Sequence, residues 1–516
     1  MTFQLQSDTV PTMNKNAHIQ LTVDEEELFR IIIGASRMFS NQPVPRAVGG
    51  WIRDKLLGVQ SDDIDIMLDQ TTGEEFAREV SKLIGSGAPH VVKLNEAKSK
   101  HVETAKMTIC VSSGKEFSID FAMARDEVYA DGESRVPTEV RRATPQEDAM
   151  RRDLTINSLF YNLHTKEVED MTGRGLDDLE SGLAVTPLAP LKTFSDDALR
   201  AWRVVRFAAR FDLKLDPKII EAIHDPVVWD RMFHVISKER IGIEMSKMMS
   251  GGNALKSLAL LKSLGILDGM LNEAWKGSRF DGQVEPLDMI QNSSFHELTL
   301  WEHTLLVVKK VEWRRKDELT WAAVLHDLGK RFVGIQSPSK SCPGKTSYMG
   351  HAEASSEMAE LLLQWLVLFP MVEPIRKLVA MHMEPHHMLE VKSPTIRRFV
   401  RKCAKAGVPW GDVIYLATAD ALSKGFIEDN ATKEIYTCME KRVEEAEKEI
   451  DKAGRKTEPS VLNGHEIMEV LGCRPGPHMK EIVEFVESLV DDKPDVSKEE
   501  ARVLVKNKFG SCNKIS

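Results

Sequence analysis

The chain has no apolar run approaching the length of about 18 residues that a membrane-crossing helix needs. Its six cysteines (Cys110, Cys342, Cys403, Cys438, Cys473 and Cys512) lie far apart and form no C-x-x-C pair. That spacing excludes a zinc knuckle or a disulfide frame and predicts reduced thiols in an intracellular compartment, the cytoplasm, nucleus or mitochondrion. Positive charge is not in excess: 69 Lys and Arg face 79 Asp and Glu, a formal net charge of −10. Such a balance argues against a protein that coats nucleic acid indiscriminately, but local basic patches can still hold a structured RNA. The first dozen residues contain no arginine and include Asp8, a poor transit peptide; Met13 offers a second start. No internal repeat or long low-complexity tract interrupts the sequence.

At 516 residues the chain should hold roughly two to four domains. Ordered structure is predicted to begin at Thr22, where Thr22-x-x-Glu25 makes a capping box ahead of Leu28, Ile31, Ile32, Ala35 and Met38 on one helical face. Strand and helix signals then alternate to about residue 160, with strands expected at 47–48, 64–68, 91–94, 107–111 and 117–123. From about 190 onward the patterns are almost entirely helical. The expected fold is α+β: a small α/β head with a mixed sheet over 21–160, an all-α neck over 161–285, a helical body over 286–425 and a helical tail over 426–516. Residues 1–20 are expected to be a flexible N-terminus.

The chemistry concentrates first in Gly49 to Asp65. Gly49 and Gly50 open a short helix whose unpaired N–H groups suit a phosphate chain, and Arg53 lies on it. Asp63 and Asp65 stand two apart on a strand and so share a face, where hard oxygen ligands suit Mg²⁺ shared with substrate phosphates. Asp120 occupies the polar parity of Phe117 to Phe121, making it a candidate third metal ligand and the base for an attacking hydroxyl. A strand-edge aspartate bonded to backbone is the competing reading. Arg151, Arg152 and Asp153 lead into an apolar run, either as a structural ion-pair cluster or as a grip on ribose and phosphate. Farther on, Asp197 and Arg200 stand three apart in what reads as one helix continuing through Arg203, Arg206 and Arg210. An acceptor beside a donor matches the amino edge of cytosine and adenine and rejects uracil and guanine; an ordinary helix ion pair is the alternative.

Several stretches together resemble the tRNA nucleotidyltransferases (CCA-adding enzymes), of the class shared with bacterial poly(A) polymerases. They run from Gly49 to Asp65, Lys98 to Ala105, Arg125 to Pro137, Glu147 to Leu159, Asp170 to Leu183, Asp196 to Phe211 and Ser237 to Ile241. The runs from Lys98 to Ala105 and from Ser134 to Pro137 are similar to eukaryotic members. The resemblance implies a polymerase-β-like head with Asp63 and Asp65 as Mg²⁺ ligands. It implies nucleotide contacts from Gly49, Gly50, Arg53, Arg151, Arg152, Asp153 and Arg203, a hinge at Asp170 to Leu183, and Asp197 with Arg200 as an amino-acid template. The chain reads Asp196-Asp197-Ala198 where the family usually has Glu-Asp-Pro. The implied reaction is untemplated addition of CCA to the tRNA 3′ end from CTP and ATP, releasing pyrophosphate. Partners are then tRNA, CTP and ATP, with no membrane and no obligatory protein partner. A poly(A) polymerase of the same class, or a hydrolase with a vestigial head, are the rival readings.

A second resemblance, to HD-type metal-dependent phosphohydrolases, covers about 290–425. It rests on His303, the adjacent His326 and Asp327, His351, His382 and Asp420. Neutral imidazoles with carboxylates suit a transition metal such as Mn, Fe, Co or Ni, with His351 and His382 serving a second ion. In the tail, Arg474 to His478 reads either as a turn offering N–H groups to RNA phosphate or as a helix cap. Arg397, Arg398, Arg401, Lys402 and Lys405 form a helical basic stripe, a candidate tRNA contact or a solvated face.

Overall fold

The structure, a computed structural model, describes residues 19–85, 104–128, 139–292, 298–389, 393–425, 430–452, 461–472, 474–476, 479–493 and 495–510. The expected strand at 91–94, most of the run from Lys98 to Ala105, the stretch from Ser134 to Pro137, and Pro477 with His478 lie outside these residues. The chain forms two compact units, one made of residues 1–248 and 256–267 and the other of 249–255 and 268–516.

The first unit carries the sheet. Its strands are β1 (Arg46–Val48), β2 (Asp63–Leu68), β3 (Thr104–Cys110), β4 (Glu116–Met123), β7 (Leu159–Asn162) and β8 (Glu167–Asp170), with a separate hairpin of β5 (Arg125–Val128) and β6 (Glu139–Arg142). The spatial order is β3-β4-β2-β1-β7-β8, and only β2 and β4 run parallel, so the sheet is mixed. In β2, Ile64 and Ile66 are buried while Asp63 and Asp65 are exposed, the period-two alternation expected of a half-buried strand. Val48, Met67, Ala124, Ala149 and Phe160 close one part of the core. Because β7 and β8 extend the sheet to Asp170, a head boundary at 160 would cut through β7.

Helices flank and follow this sheet: α1 (Val23–Ser36), α2 (Gly50–Leu56), α3 (Gly73–Ile84), α4 (Pro145–Met150), α5 (Gly175–Glu180), α6 (Pro190–Asp196), α7 (Leu199–Phe211), α8 (Pro217–Ile223), α9 (Pro226–Asp230) and α10 (Lys238–Met249). The capping box at Thr22 forms as the sequence predicts, with Thr22 Oγ accepting from Glu25 N and Glu25 returning the bond. The segment expected as a hinge is closely hydrogen-bonded: the Asp170 carboxylate accepts from the N–H groups of Thr172, Gly173 and Leu176, and Asp178 takes both Arg174 and the Thr155 hydroxyl.

The second unit is helical. Its centre is built from helices Leu300–Val311, Asp317–Leu325, His351–Trp365, Phe369–Met381 and Trp410–Ala421, and Ser393–Ala406 packs on the long helix Asn430–Lys452. A smaller core of Val461, Leu462, Ile467, Val486, Val490 and Val505 holds the tail helices. The expected basic stripe does not form one surface. Arg397 and Arg401 are buried, Arg397 pairing with Glu449 at 3.0 Å, while Arg398, Lys402 and Lys405 are exposed. The apolar face of that helix, with Ile396, Phe399, Val400 and Cys403 buried, draws the two arginines inward with it.

Candidate active site and metal cluster

An open cleft of about 850 Å³ in the first unit gathers Gly49, Gly50, Arg53, Asp63, Asp65, Arg151, Arg152, Asp153, Asp197, Arg200 and Arg203. Gly49 carries φ +70°, and a Cβ there would stand 3.1 Å from Arg152 Nη1, so a side chain would be strained and crowded at the turn. The Gly49 N–H is not free for a ligand, because it donates to Leu159 O. The N–H groups of Gly50, Trp51 and Ile52 have no carbonyl partner among the described residues.

Asp65 and Asp120 are directly paired in the parallel register of β2 and β4, with Asp63 two residues along the same face. Desolvation by the cleft walls, then the charges of Asp63 and Asp120, push the Asp65 carboxyl up to about 6. Across the sheet, Lys106 Nζ stands 3.4 Å from Asp120 Oδ1. The donor set is all carboxylate and mutually repelling, which fits a hard divalent cation completed by water and substrate phosphates. These carboxylates do not converge as closely as the cluster in the second unit, since the two sets whose ligand atoms all lie within 4.8 Å among the described residues are both found there.

The arginines differ in what they are free to do. Arg151 and Arg152 both pair with Asp148, at 2.5 and 2.8 Å, and keep about a fifth of their side chains exposed to the cleft. Burial alone would raise Asp148, but the two guanidinium groups hold it at about 2. The ion-pair reading and the ligand reading are therefore compatible, one face of each arginine serving each. Arg53 lines the cleft but is only 2% exposed. Its guanidinium is buried, donating to Asp54 and to Asn157 Oδ1 and lying over Phe207 and Phe211 at 4.9 and 4.3 Å. Asn157 in turn donates to Asp153 Oδ1 at 2.9 Å, and Arg203 Nε donates to Asp153 Oδ2 at 2.7 Å. Burial opposes the Asp153 charge, yet Arg203, Asn157 and the Leu154 N–H outweigh it and hold the group at about 2.

The expected continuous helix through Asp197 and Arg200 is broken. Asp197 leaves helical geometry at φ −143°, ψ 105° between α6 and α7. Its Oδ1 accepts from Leu199 N at 3.0 Å and its Oδ2 pairs with Arg240 Nη2 at 2.8 Å, while Arg200 Nη1 donates to Thr193 O. Asp197 thus ends α6 and stands just before Ala198, the N-cap of α7, where its carboxylate takes the Leu199 N–H. An intrahelical Asp197–Arg200 pair is not what holds these side chains. Asp54, Asp148, Asn157 and Arg240 are the supports that sequence reasoning missed; Asn157 stands four residues after Asp153, and Arg240 sits in the run from Ser237 to Ile241.

In the second unit six side chains converge. Asp327 Oδ2 lies 3.3 Å from both His303 Nε2 and His326 Nε2, and Asp420 Oδ1 lies 3.1 Å from His303 Nε2. Asp327 Oδ1 faces His351 Nε2 at 3.3 Å and His382 Nε2 at 3.9 Å. Each of the four imidazoles uses Nδ1 on a backbone carbonyl, of Ser423, Ala323, Tyr348 and Val379 respectively. Where Nδ1 carries the proton, the Nε2 lone pairs aim inward, 3.2 Å apart for His303 and His326 and 3.3 Å for His351 and His382. Facing lone pairs repel unless a cation sits between them, and backbone-oriented imidazoles are how ligating histidines are usually held. Burial, then the charges of His326 and His351, push His382 well below its ordinary value. Burial opposes the charge on Asp327, but Lys330 and His326 hold it well below the usual carboxylate range. Two supports were missed from sequence: Lys330 Nζ, 2.7 Å from Asp327 Oδ2, and His386 Nε2, 2.9 Å from Asp420 Oδ2.

The chain matches the poly A polymerase head domain over residues 45–184, a probable RNA and SrmB-binding site of polymerase A over 212–277, and the HD domain over 300–406. The Schizosaccharomyces pombe tRNA nucleotidyltransferase cca1 is 28% identical over 96% of this chain and 98% of its own. Over nearly its whole length the chain is similar to a tRNA nucleotidyltransferase. A second S. pombe relative, tRNA nucleotidyltransferase cca2, is 42% identical over 42% of this chain and 46% of its own length. The mitochondrial CCA tRNA nucleotidyltransferase of Saccharomyces cerevisiae is 42% identical over 44% and 42%. With these two, the match spans less than half of each relative. A Bacillus stearothermophilus CCA-adding enzyme solved with CTP shares the fold, with a TM-score of 0.60 at 17% identity over 96% of this chain and 100% of that one. The match to a nucleotidyltransferase head implies a divalent metal. No helix among the described residues is long and apolar enough to cross a membrane.

Proposed function

We propose that the chain adds CCA to the 3′ end of tRNA from CTP and ATP, releasing pyrophosphate. The observation that carries this reading is the cleft itself, which joins the carboxylates Asp63 and Asp65 to Asp197 and Arg200 in one space. Asp63 and Asp65 are the residues that would hold Mg²⁺, which when bound offsets charge on the triphosphate and on the attacking oxygen. Asp120, opposite Asp65, accepts the proton of the tRNA 3′-hydroxyl. Arg151 and Arg152, steadied by Asp148, present their outer edges to phosphate, while Asp153, held by Arg203 and Asn157, orients the ribose. Asp197 accepts from the exocyclic amine of C or A and Arg200 donates to the ring nitrogen. Arg240 and the Leu199 N–H fix the Asp197 carboxylate, so selection rests on a rigid acceptor.

The relatives' names favour tRNA over poly(A) synthesis as the outcome of this chemistry. A reducing compartment is the proposed location, and the mitochondrial yeast relative makes that organelle one destination. For the second unit, the proposed role of His303, His326, Asp327 and Asp420 is to bind a transition metal, Mn, Fe, Co or Ni, with His351 and His382 holding a second ion across Asp327. The deciding assay supplies purified protein with Mg²⁺, tRNA ending at the discriminator base, and CTP, ATP, UTP or GTP singly and together. Two C additions followed by one A support the reading, and long A tracts without C would replace it with poly(A) synthesis.

A further inference from the structure

We propose that the second unit carries a separate binding site for a nucleoside phosphate, in a cavity of about 580 Å³ walled by aromatic and basic side chains. Trp313 stands at its rim, 86% exposed and so open to a stacking partner. Tyr415, on the helix Trp410–Ala421, forms a wall; its hydroxyl donates to Lys310 O at 3.0 Å, which fixes the ring. The Arg314 guanidinium lies 4.2 Å from the centre of that ring, the stacked geometry of a cation–π pair.

Charge sets the ligand class. Lys309, Lys310, Arg314 and Lys433 line the cavity, and Glu440 is the one carboxylate among the described residues lining it. Lys309, Arg314 and Lys433 make no ion pair with other described residues, although the chain as a whole is acidic. Cations left unpaired around an exposed tryptophan and a half-buried tyrosine are an arrangement that can receive a stacked base joined to phosphate. An apolar ligand would leave the cations unpaired, and a plain anion would make no use of Trp313 and Tyr415. A nucleoside phosphate, free or within a single RNA strand, satisfies both. Tyr436, whose hydroxyl bonds His386, lines the same cavity, so the site borders the flank of the metal-ligand cluster.

The test labels the full-length protein with 5-fluorotryptophan and assigns the Trp313 ¹⁹F resonance by its loss in Trp313→Phe. Nucleotide bound in the head leaves this local probe unmoved. Titration with AMP and with a single-stranded pentaadenylate should shift the resonance at millimolar ligand or below. A shift with both assigns a free nucleotide as a sufficient ligand, and a shift with the oligonucleotide alone assigns an RNA strand. Arg314→Glu combined with Lys433→Glu should weaken the response at least about tenfold, the scale of one lost charge-assisted contact. Both side chains are exposed, and Lys433→Gln alone should give a smaller loss. The proposal is overturned by an unmoved resonance at saturating ligand, by an equal shift with inorganic phosphate alone, or by a shift that survives the double charge reversal.

Discussion

At the residue scale, Asp65 bears the mutual repulsion of the carboxylate set. Its carboxyl titrates at about 6 in the folded chain against 3.8 ordinarily, because desolvation and then Asp63 and Asp120 disfavour its charge. The folded state therefore binds a proton there that the unfolded chain releases, and stability from this group is lost as pH rises from about 4 to about 6. Metal-free Asp65→Asn protein should melt higher than wild type at pH 7, with the difference vanishing below pH 4. Scanning calorimetry in chelator checks this. The same substitution, like Asp63→Ala or Asp65→Ala, should abolish addition of both C and A, since a lost metal ligand removes several kcal/mol of transition-state stabilisation. Retained C addition at near wild-type rate in a folded variant would refute the ligand assignment. Asp197→Ala should raise U and G incorporation relative to C, with a penalty of about 1–3 kcal/mol on the correct bases. A competition assay reads that ratio.

At the scale of elements, the junction of α6 and α7 depends on α10. Arg206 Nε meets Glu244 Oε2 at 2.5 Å with both side chains buried, while Arg240, on the same helix as Glu244, holds Asp197. A buried ion pair broken on one side leaves an uncompensated charge, so Glu244→Ala should cost about 3–5 kcal/mol and Glu244→Gln less. Chemical denaturation followed at the tryptophans of the first unit measures it. The sequence shows why this was hard to see: an aspartate between two helices and a mid-helix aspartate have the same local pattern when acidic and basic residues alternate. The break appears only once Arg240, forty-three residues away, is brought to Asp197. The inward turn of Arg397 and Arg401 is hidden in the sequence for the same reason, because a charge pattern does not say which face packs.

At the scale of the molecule, the two proposed metal sites draw on separate ligand sets. His326→Ala with Asp327→Ala removes one imidazole and the carboxylate that faces both histidine pairs, so elemental analysis should find no transition metal in the purified variant. Nucleotide addition should persist in that variant, since the head's carboxylates are untouched. Loss of addition together with the metal would show the two units to be coupled. Wild-type protein without a transition metal, even after reconstitution, would leave the histidines a structural role.

The sequence alone determined the head's strands of alternating parity, the glycine turn, the carboxylate pair and the spacing of the HD histidines, because each is a short-range pattern in which chemistry and periodicity coincide. Tertiary structure decided the rest. It decided that Arg53 turns inward onto Asn157, that Asp148 steadies two arginines, that Asp197 stands between two helices, and that Asp327 faces four imidazoles from two sides. Each of these joins residues by desolvation and charge pairing across distances in sequence that no local pattern encodes. The energy of a buried charge depends on who its neighbours are, and those neighbours exist only after the chain has folded.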